Sequence, residues 1–433
     1  MYDPPPTSCD VAIVGAGAAG LAAGIFAAEV GGGAGSVCLL DGARKPGAKI
    51  LVAGGGRCNV THHAVDVRDY NAASKGFVKN VLKAFPVERT VEWLGSMGVT
   101  LKREDTGKLF PTTDKARTVL DALLTRLHDR GATLHAGRRV TGVLRTDDGF
   151  VLTINEAERL RCRRLIFCPG GRALPKTGSD GGGYTLARHL GHTVTPQHPA
   201  LVSIVLQQHF FHPELAGISH EAEVTTTVAG KVADRRVGQM LWTHFGMSGP
   251  LVMDASRHFL AAKLAGHEAA WSLSLVPGER FEALDPRLVK LAEAEPTLTA
   301  GRALDRITAT PLPQKLAAAV MRHARVEPGT TLAQLKKLDR RRLVHALVGL
   351  PLPVEQDRGW NHAEVTAGGV PLSEVSWRTM SSRVCDGLHL AGEVLDLDGR
   401  IGGFNFQWAW ATGHLAGVAA ARSLDSVDSR VTA

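Results

Sequence analysis

Residues 10–20 read DVAIVGAGAAG, and the run closes on Gly15-Ala16-Gly17-Ala18-Ala19-Gly20, which satisfies Gly-x-Gly-x-x-Gly. DVAIV (10–14) is a short apolar run that suits a buried parallel strand. The glycines come next, then an Ala- and Leu-rich stretch with helical character to about Glu29. VCLLD (37–41) is a second buried strand that ends on an acid, Asp41. The pattern predicts β-α-β with glycines at the first turn. Gly15 permits the sharp turn, Gly17 lets the backbone approach a pyrophosphate, and Gly20 lets helix and strand pack closely. The helix start offers free N–H groups and a positive dipole end to the phosphates, and Asp41 accepts from a pair of ribose hydroxyls. A dinucleotide-binding α/β domain is therefore expected at the N-terminus.

The rest of the chain sets limits around that domain. At 433 residues it has room for two or three domains, and its 44% hydrophobic and 21% charged residues exclude a disordered chain. Glycine clusters at 15–20, 31–35, 54–56, 181–183 and 402–403, where backbone is expected to turn tightly or approach a ligand. A net charge of +8 favours polyanionic partners such as nucleic acid, diluted over a large protein. The six cysteines (Cys9, Cys38, Cys58, Cys162, Cys168, Cys385) form no CxxC pair and no zinc spacing. No metal is expected, and free thiols point to a reducing cytoplasm. MYDPPPTSCD at the N-terminus lacks the regions of a signal peptide, and glycines interrupt the uncharged stretch 11–40, so no membrane span is expected.

Residues 77–98 and 116–130 have helical periodicity. Strands near 138–145 and 149–154 predict a hairpin around Asp147-Asp148-Gly149, and RRLIFCPGG (163–171) predicts another buried strand with a glycine turn. After about residue 195 the character changes. Residues 221–240 and 271–277 alternate as antiparallel strands do, whereas 280–350 are helical, Leu/Ala-rich and basic. Strand patterning returns near 361, and LHLAGEV (388–394) again ends in a glycine turn. The expected plan is residues 1–195 as the first part of the nucleotide domain, 196–278 as a β-rich insert, 279–352 as its helical subdomain, and 353–433 as the return segment.

Two further stretches carry chemistry. In AGEVLDLDGRIGGFNFQWAWATGHLAG (391–417) a strand ends at Gly392-Glu393, and Gly402-Gly403 opens a helix with small residues at Ala409, Gly413 and Gly417. That helix start suits negative charge developing at the N1/C2=O edge of a reduced flavin; an ordinary packing helix is the alternative. KPGAKILVAGGGRCNVT (45–61) places three glycines before Arg57, Cys58 and Asn59, a loop fit to lie against a planar ring. Arg57 and Asn59 can hydrogen-bond cofactor or substrate oxygens. Cys58 is a proton donor, a reactive thiol, or a packing residue.

These segments together resemble the BaiN/RdsA-type family of NAD(P)/FAD-dependent flavoproteins. The likeness extends to GKLFPTTDKARTVLDAL (107–123), PKTGSDGGGYTLARHLGHTVTPQHPALV (175–202), LWTHFGMSGPLVMDAS (241–256) and AEVTAGGVPLSEVSWRTMSSR (363–383), in the family's order over about residues 10–417. Modest departures, such as Gly182-Gly183 after an Asp, mark a divergent subfamily. The resemblance implies an α/β fold: a Rossmann-type FAD-binding domain interrupted by an insert with a β-barrel-like part and a helical subdomain. It implies FAD contacts at Gly15 to Gly20 (with Ala16, Ala18 and Ala19), Asp41, Lys49, the loop Gly54, Gly55, Gly56, Arg57, Cys58 and Asn59, and at Val140 and Gly170. On the return segment it implies Gly392, Glu393, Gly402, Gly403, Phe404, Asn405 and Gln407.

His244, in the TH-x-G-x-SGP stretch, either protonates substrate or holds its loop. Lys108 contacts an anionic substrate or is solvated. His209 and His212 form HxxH, but no third ligand is evident and the aromatic flanks suggest core. With no second Gly-x-Gly-x-x-Gly, NAD(P)H is expected as a transient electron donor, and the flavin carries the hydride. The resemblance implies reduction of a polarised C=C, in uracil of ribosomal RNA or in a small enone such as a bile-acid intermediate. The basic helix at 335–347, with Lys336, Lys337, Arg340, Arg341 and Arg342, favours RNA unless it is merely a solvated face. An FAD-containing RNA-binding protein without redox chemistry is the reading from another class.

Overall fold

The computed structural model describes residues 5–30 and 35–431. The glycine run expected at 31–35 therefore lies, except for Gly35, outside the described residues, as do the first four residues of the N-terminal stretch. Contacts divide the chain into two compact units, one built from the segments up to Gln197 and from Glu364 onward, the other from His198–Ala363.

In the first unit the apolar run at 10–14 becomes the strand Ser8–Val14, near the middle of a seven-stranded sheet. It pairs in parallel with Val37–Asp41, which pairs in parallel with Thr133–Ala136. On its other side lies the long strand Glu158–Phe167, also parallel. The free edge of that strand is shared. Its first half takes Gly149–Ile154 antiparallel, which in turn takes Val140–Thr146; its last three residues take Leu388–Leu390 in parallel. The return segment thus completes the sheet that the first segment began. Ile13, Leu39, Leu165, Ile166 and Phe167 are all 0% exposed, as expected of parallel strands covered on both faces.

The helix Ala18–Val30 follows the first strand and is covered by the last helix, Phe404–Val431. Their backbones touch. A Cβ on Gly413 would lie 2.5 Å from the Ala19 carbonyl oxygen, and one on Gly417 2.3 Å from that of Ala23. The small-residue stripe read from the sequence is therefore a contact surface. The periodic stretch 77–98 is two helices, Lys75–Ala84 and Val87–Gly95, because Pro86 has no N–H to continue the ladder and its ring crowds the preceding turn.

The second unit is built on a seven-stranded sheet in the order 350–352, 269–274, 219–228, 231–243, 246–248, 204–206, 354–357. The outermost strands, Leu350–Leu352 and Val354–Asp357, are separated in sequence by Pro353 alone. The sheet therefore curls until its two edges meet at that residue, which makes it β-barrel-like. Proline suits an edge, where no ladder donor is lost. The helices Phe281–Ala294, Ala300–Ile307, Gln314–His323 and Lys337–Val348 share one hydrophobic cluster with the sheet, through Trp242, Trp271, Leu304, Leu316 and Leu347.

Two boundaries of the compact units differ from those expected. The first unit ends at Gln197, not 195. The return begins at Glu364 rather than 353, because Val354–Asp357 hydrogen-bonds to Ile204–Leu206 in the insert's sheet. The stretch 279–352 has no core of its own. No helix among the described residues is long and apolar enough to cross a membrane.

Candidate functional site

The first glycine turn is fixed by contact. At Gly15 a Cβ would lie 2.2 Å from the Cys168 carbonyl oxygen, and at Gly20 1.8 Å from that of Gly15. Neither position admits a side chain. Gly17 differs: nothing lies within 4 Å of its Cβ position and its φ is not left-handed, so the protein itself does not require glycine there. That open space faces the start of the helix Ala18–Val30, whose first N–H groups have no intrahelical partner.

Asp41 is tied to the same turn. Its Oδ2 accepts from the Ala16 N–H (2.6 Å) and its Oδ1 from the Ala43 N–H (2.7 Å). Burial raises the carboxyl above its usual range, and the two N–H donors oppose that shift. Each oxygen keeps a lone pair for a ribose hydroxyl. Nearby, Gly170 has φ 76° and a Cβ position 2.7 Å from Ser179 Oγ, while Arg139 and Asp180 pair at 2.8 Å beside the buried Val140.

Distant segments meet this turn by direct contact. The Gly47 N–H donates to the Ala16 carbonyl (3.0 Å). Lys49 Nζ and Glu393 Oε2 are 2.6 Å apart, joining positions 344 residues apart in sequence. Glu393 Oε1 accepts from the Thr366 N–H (3.0 Å), and Thr366 Oγ1 accepts from the N–H groups of Arg172 (2.7 Å) and Ala173 (3.0 Å). Thr366 was not singled out from the sequence. Its place in the VT-x-GGV stretch was the available signal.

The stretch Ala48–Gly56 starts as a helix and breaks at Ala53, after which Gly54 and Gly55 are left-handed (φ 58° and 68°). Gly55 faces nothing within 4 Å. Arg57 is held by the protein itself: its guanidinium lies 4.1 Å over the Phe110 ring and its Nη1 is 2.6 Å from Glu104. Cys58 is 0% exposed, and burial pushes its thiol up to about 12, so it is a protonated thiol packed in the core rather than a thiolate. Asn59 is 8% exposed, and its Oδ1 has no hydrogen-bond partner among the described residues.

At the start of the last helix, Gly403 has φ 94° and a Cβ position 2.6 Å from the Thr61 carbonyl carbon. Only glycine fits, which brings this helix start against the strand that follows the 54–59 loop. Gly402 precedes it with φ 134°. Phe404 is buried and stacks on His62 at 5.0 Å. Asn405 spends its amide on Gly399, accepting from its N–H (2.8 Å) and donating to its carbonyl (2.9 Å). The Gln407 side chain turns inward. It is 0% exposed; Oε1 accepts from Thr61 (2.7 Å) and Thr90 (2.9 Å), and Nε2 donates to the Phe85 carbonyl (2.9 Å). Its side chain bolts the helix start down from inside the core. Gly392 donates its N–H to Thr412 Oγ1 (3.0 Å), and its own Cβ position is 2.8 Å from the Ala19 side chain.

In the second unit, His244 is exposed at the turn between Lys231–Thr243 and Gly246–Ser248, with its ring 5.1 Å from Phe245. His212 is buried behind the stacked Phe210 and Phe211. The basic helix is partly neutralised from within. Arg340 makes two bonds to Asp285 (2.8 and 3.1 Å), Arg342 pairs with Asp339 (2.5 Å), and Arg341 lies over Phe281. Lys336 and Lys337 are exposed.

The first unit fits FAD on its own geometry. The space at Gly17 stands before a helix start, Asp41 lies beside it, and the Gly55 backbone is open.

Comparison with known proteins agrees. The chain matches the family model described as HI0933-like protein Rossmann domain over residues 9–419. It is 35% identical over 411 residues to the 3-dehydro-bile acid delta(4,6)-reductase of Clostridium scindens, covering 95% of this chain and 98% of that protein. It is 32% identical to the ribosomal RNA dihydrouridine synthase of Escherichia coli (93% of this chain, 96% of that protein) and 30% identical to that of Haemophilus influenzae (95% and 98%). The chain belongs to the HI0933-like Rossmann family and is a flavoprotein oxidoreductase of the BaiN/RdsA type.

Proposed function

We propose that this protein reduces a carbon–carbon double bond conjugated to a carbonyl, using FAD and taking electrons from NAD(P)H, and that its substrate is uracil in ribosomal RNA. The observation that carries the reading is the convergence of distant segments on the first glycine turn, where the Gly47 N–H donates to the Ala16 carbonyl, Gly392 abuts Ala19, and Gly17 faces no protein atom within 4 Å. Bound there, FAD supplies hydride transfer. The helix start at Ala18 stabilises the diphosphate, and Asp41 orients the ribose. The start of the last helix favours negative charge at the ring edge. Lys49 and Glu393 hold the two segments in register through their ion pair.

Two of the relatives are named for making dihydrouridine and one for reducing a bile acid, and both substrates carry a C=C in conjugation with a carbonyl. The net charge of +8 and the exposed Lys336 and Lys337 support the RNA reading. A target base in folded RNA must be splayed out to reach a flavin. A small enone is the second reading. It is favoured by the internal pairing of Arg340 and Arg342, which removes much of the basic helix's field.

Dihydrouridine in ribosomal RNA, measured by mass spectrometry in cells with and without the protein, tests the substrate. Loss of one modification on deletion is expected; an unchanged profile would transfer the assignment to enones. Anaerobic NADH or NADPH should bleach the yellow protein, and an acceptor should restore its colour. Protein that stays yellow takes no electrons from NADH or NADPH.

A further inference from the structure

The second unit carries a surface cation that its own structure fixes in place and leaves without an acid. Arg358 is exposed and directly follows the strand Val354–Asp357. Its guanidinium lies 4.2 Å over the Phe245 ring, and it forms no ion pair among the described residues. A cation held by a ring gains attraction from the π face without spending N–H donors on an acceptor, so its fork stays available.

Backbone contacts set the position of this arginine. Its N–H donates to the Ser203 carbonyl (3.1 Å), which continues the pairing of Asp357 with Ile204. Beyond it the chain turns tightly, the N–H groups of His362 and Ala363 both donating to the Gly359 carbonyl (3.0 and 3.2 Å). The carboxylate next to it in sequence is engaged, since Asp357 Oδ1 accepts from the Gly359 N–H (2.6 Å). Phe245 comes from the turn that follows Lys231–Thr243, and the exposed His244 meets its ring edge-on (5.1 Å, 85°). His362 feels the Arg358 charge: burial and that charge together hold its imidazole below the usual value. Basic groups thus gather at Phe245 with no carboxylate paired to Arg358, His244 or His362 among the described residues.

An unpaired guanidinium at the surface calls for an oxyanion, because two N–H groups of its fork meet two oxygens at once. The ring beneath it matters as well. A loose surface arginine loses rotamer freedom on binding, and one already held against an aromatic face loses less. We propose that Arg358, braced by Phe245, binds an oxyanion of the substrate, either a backbone phosphate of RNA or the side-chain carboxylate of a small acid. The inference rests on the substrate reading above and adds to it a residue that holds a part of the substrate remote from the double bond. Binding energy at such a group orients the one that reacts.

The test is equilibrium binding to the FAD-loaded protein of two charged probes and their neutral counterparts. One pair is an oligouridylate and the same oligomer with methylphosphonate linkages; the other is a steroid enone with a side-chain carboxylate and its methyl ester. Arg358→Gln should weaken the charged probe that is the true ligand about tenfold and leave its neutral counterpart unchanged. Where that probe is the RNA, the slope of log K against log salt should also become shallower by about 0.7, the share of one phosphate contact. Where it is the steroid acid, the RNA slope stays as in wild type. Phe245→Leu should cost about threefold, and Arg358→Lys should recover only part of the affinity, because an ammonium is a point charge. Melting temperatures of the Arg358 variants should match wild type, which shows that they fold. Unchanged affinity for both charged probes in Arg358→Gln overturns the proposal, as do full affinity in Arg358→Lys and a wild type that binds neither charged probe. Wild type that binds a probe but reduces neither with NADH or NADPH fails the substrate reading instead, an outcome read from turnover, and the proposal falls with it.

Discussion

At Gly15 and Gly20 glycine is imposed by contact, whereas at Gly55 and Gly56 it is imposed by backbone direction. In the first turn, a side chain on Gly15 or Gly20 would run into a carbonyl oxygen at about van der Waals overlap, 2.2 and 1.8 Å. In the second, Gly55 and Gly56 have room for a side chain but adopt φ of 68° and 86°, which L side chains rarely do. Gly17 belongs to neither case, having both room and an ordinary φ. The same residue type thus marks a packing limit, a conformational need and an open position, and only coordinates separate the three.

Substitutions can break that division. Gly20→Val has the largest expected effect: with a carbonyl carbon 2.9 Å away behind the oxygen, the helix must lift from the strand. Equilibrium unfolding in urea should show a loss of about 3 kcal/mol or more. Gly17→Val should leave the unfolding free energy within about 0.5 kcal/mol yet weaken FAD binding about a hundredfold, since the side chain fills the pyrophosphate's space. A Gly17→Val protein that is as unstable as Gly20→Val would erase the distinction between them.

The third experiment concerns the sheet under the first turn. His389 pairs with Ile166, which pairs with Ile13, two residues before Gly15. Its ring is buried, and burial holds its pKa down to about 4 although it hydrogen-bonds the Thr379 carbonyl (2.9 Å). The folded state therefore binds the proton less readily than the unfolded chain, whose histidine titrates near about 6.5. Stability is full above that value and is lost as pH falls toward 4, by about 2 kcal/mol per such residue between pH 7 and 5. Urea unfolding at the two pH values should show the loss, and His389→Asn should shrink it by that amount. The smallest effect is expected at Gly55→Ala, about 1 kcal/mol from the left-handed φ alone, with FAD affinity following whatever the loop loses.

How much of this was legible beforehand varies with the physics. The β-α-β start was readable because strand, glycines and acid are local in sequence. The stripe Ala409, Gly413 and Gly417 was also readable as a packing face, since spacing alone sets a helix side. The burial of Cys58 was not, because it follows from a chain reversal that only φ values reveal. Gln407 looked like a cofactor ligand from its place in a matching segment; its three partners, Thr61, Thr90 and Phe85, lie more than 300 residues away. Pro86 was visible in the sequence, and the helix break it causes should have been read there. The basic helix misleads for a similar reason: Asp285, which meets Arg340, sits 55 residues upstream.

The last helix lies on the first, Ala19 and Ala23 touching Gly413 and Gly417. Ribosomes make proteins from the amino end, so Ala18–Val30 emerges long before the partner that covers it. During that interval its small-residue face has no cover, and the intervening insert, whose sheet and helices share their own core, can fold first. The first helix is in consequence completed as a packed element only when the last stretch of chain has been made.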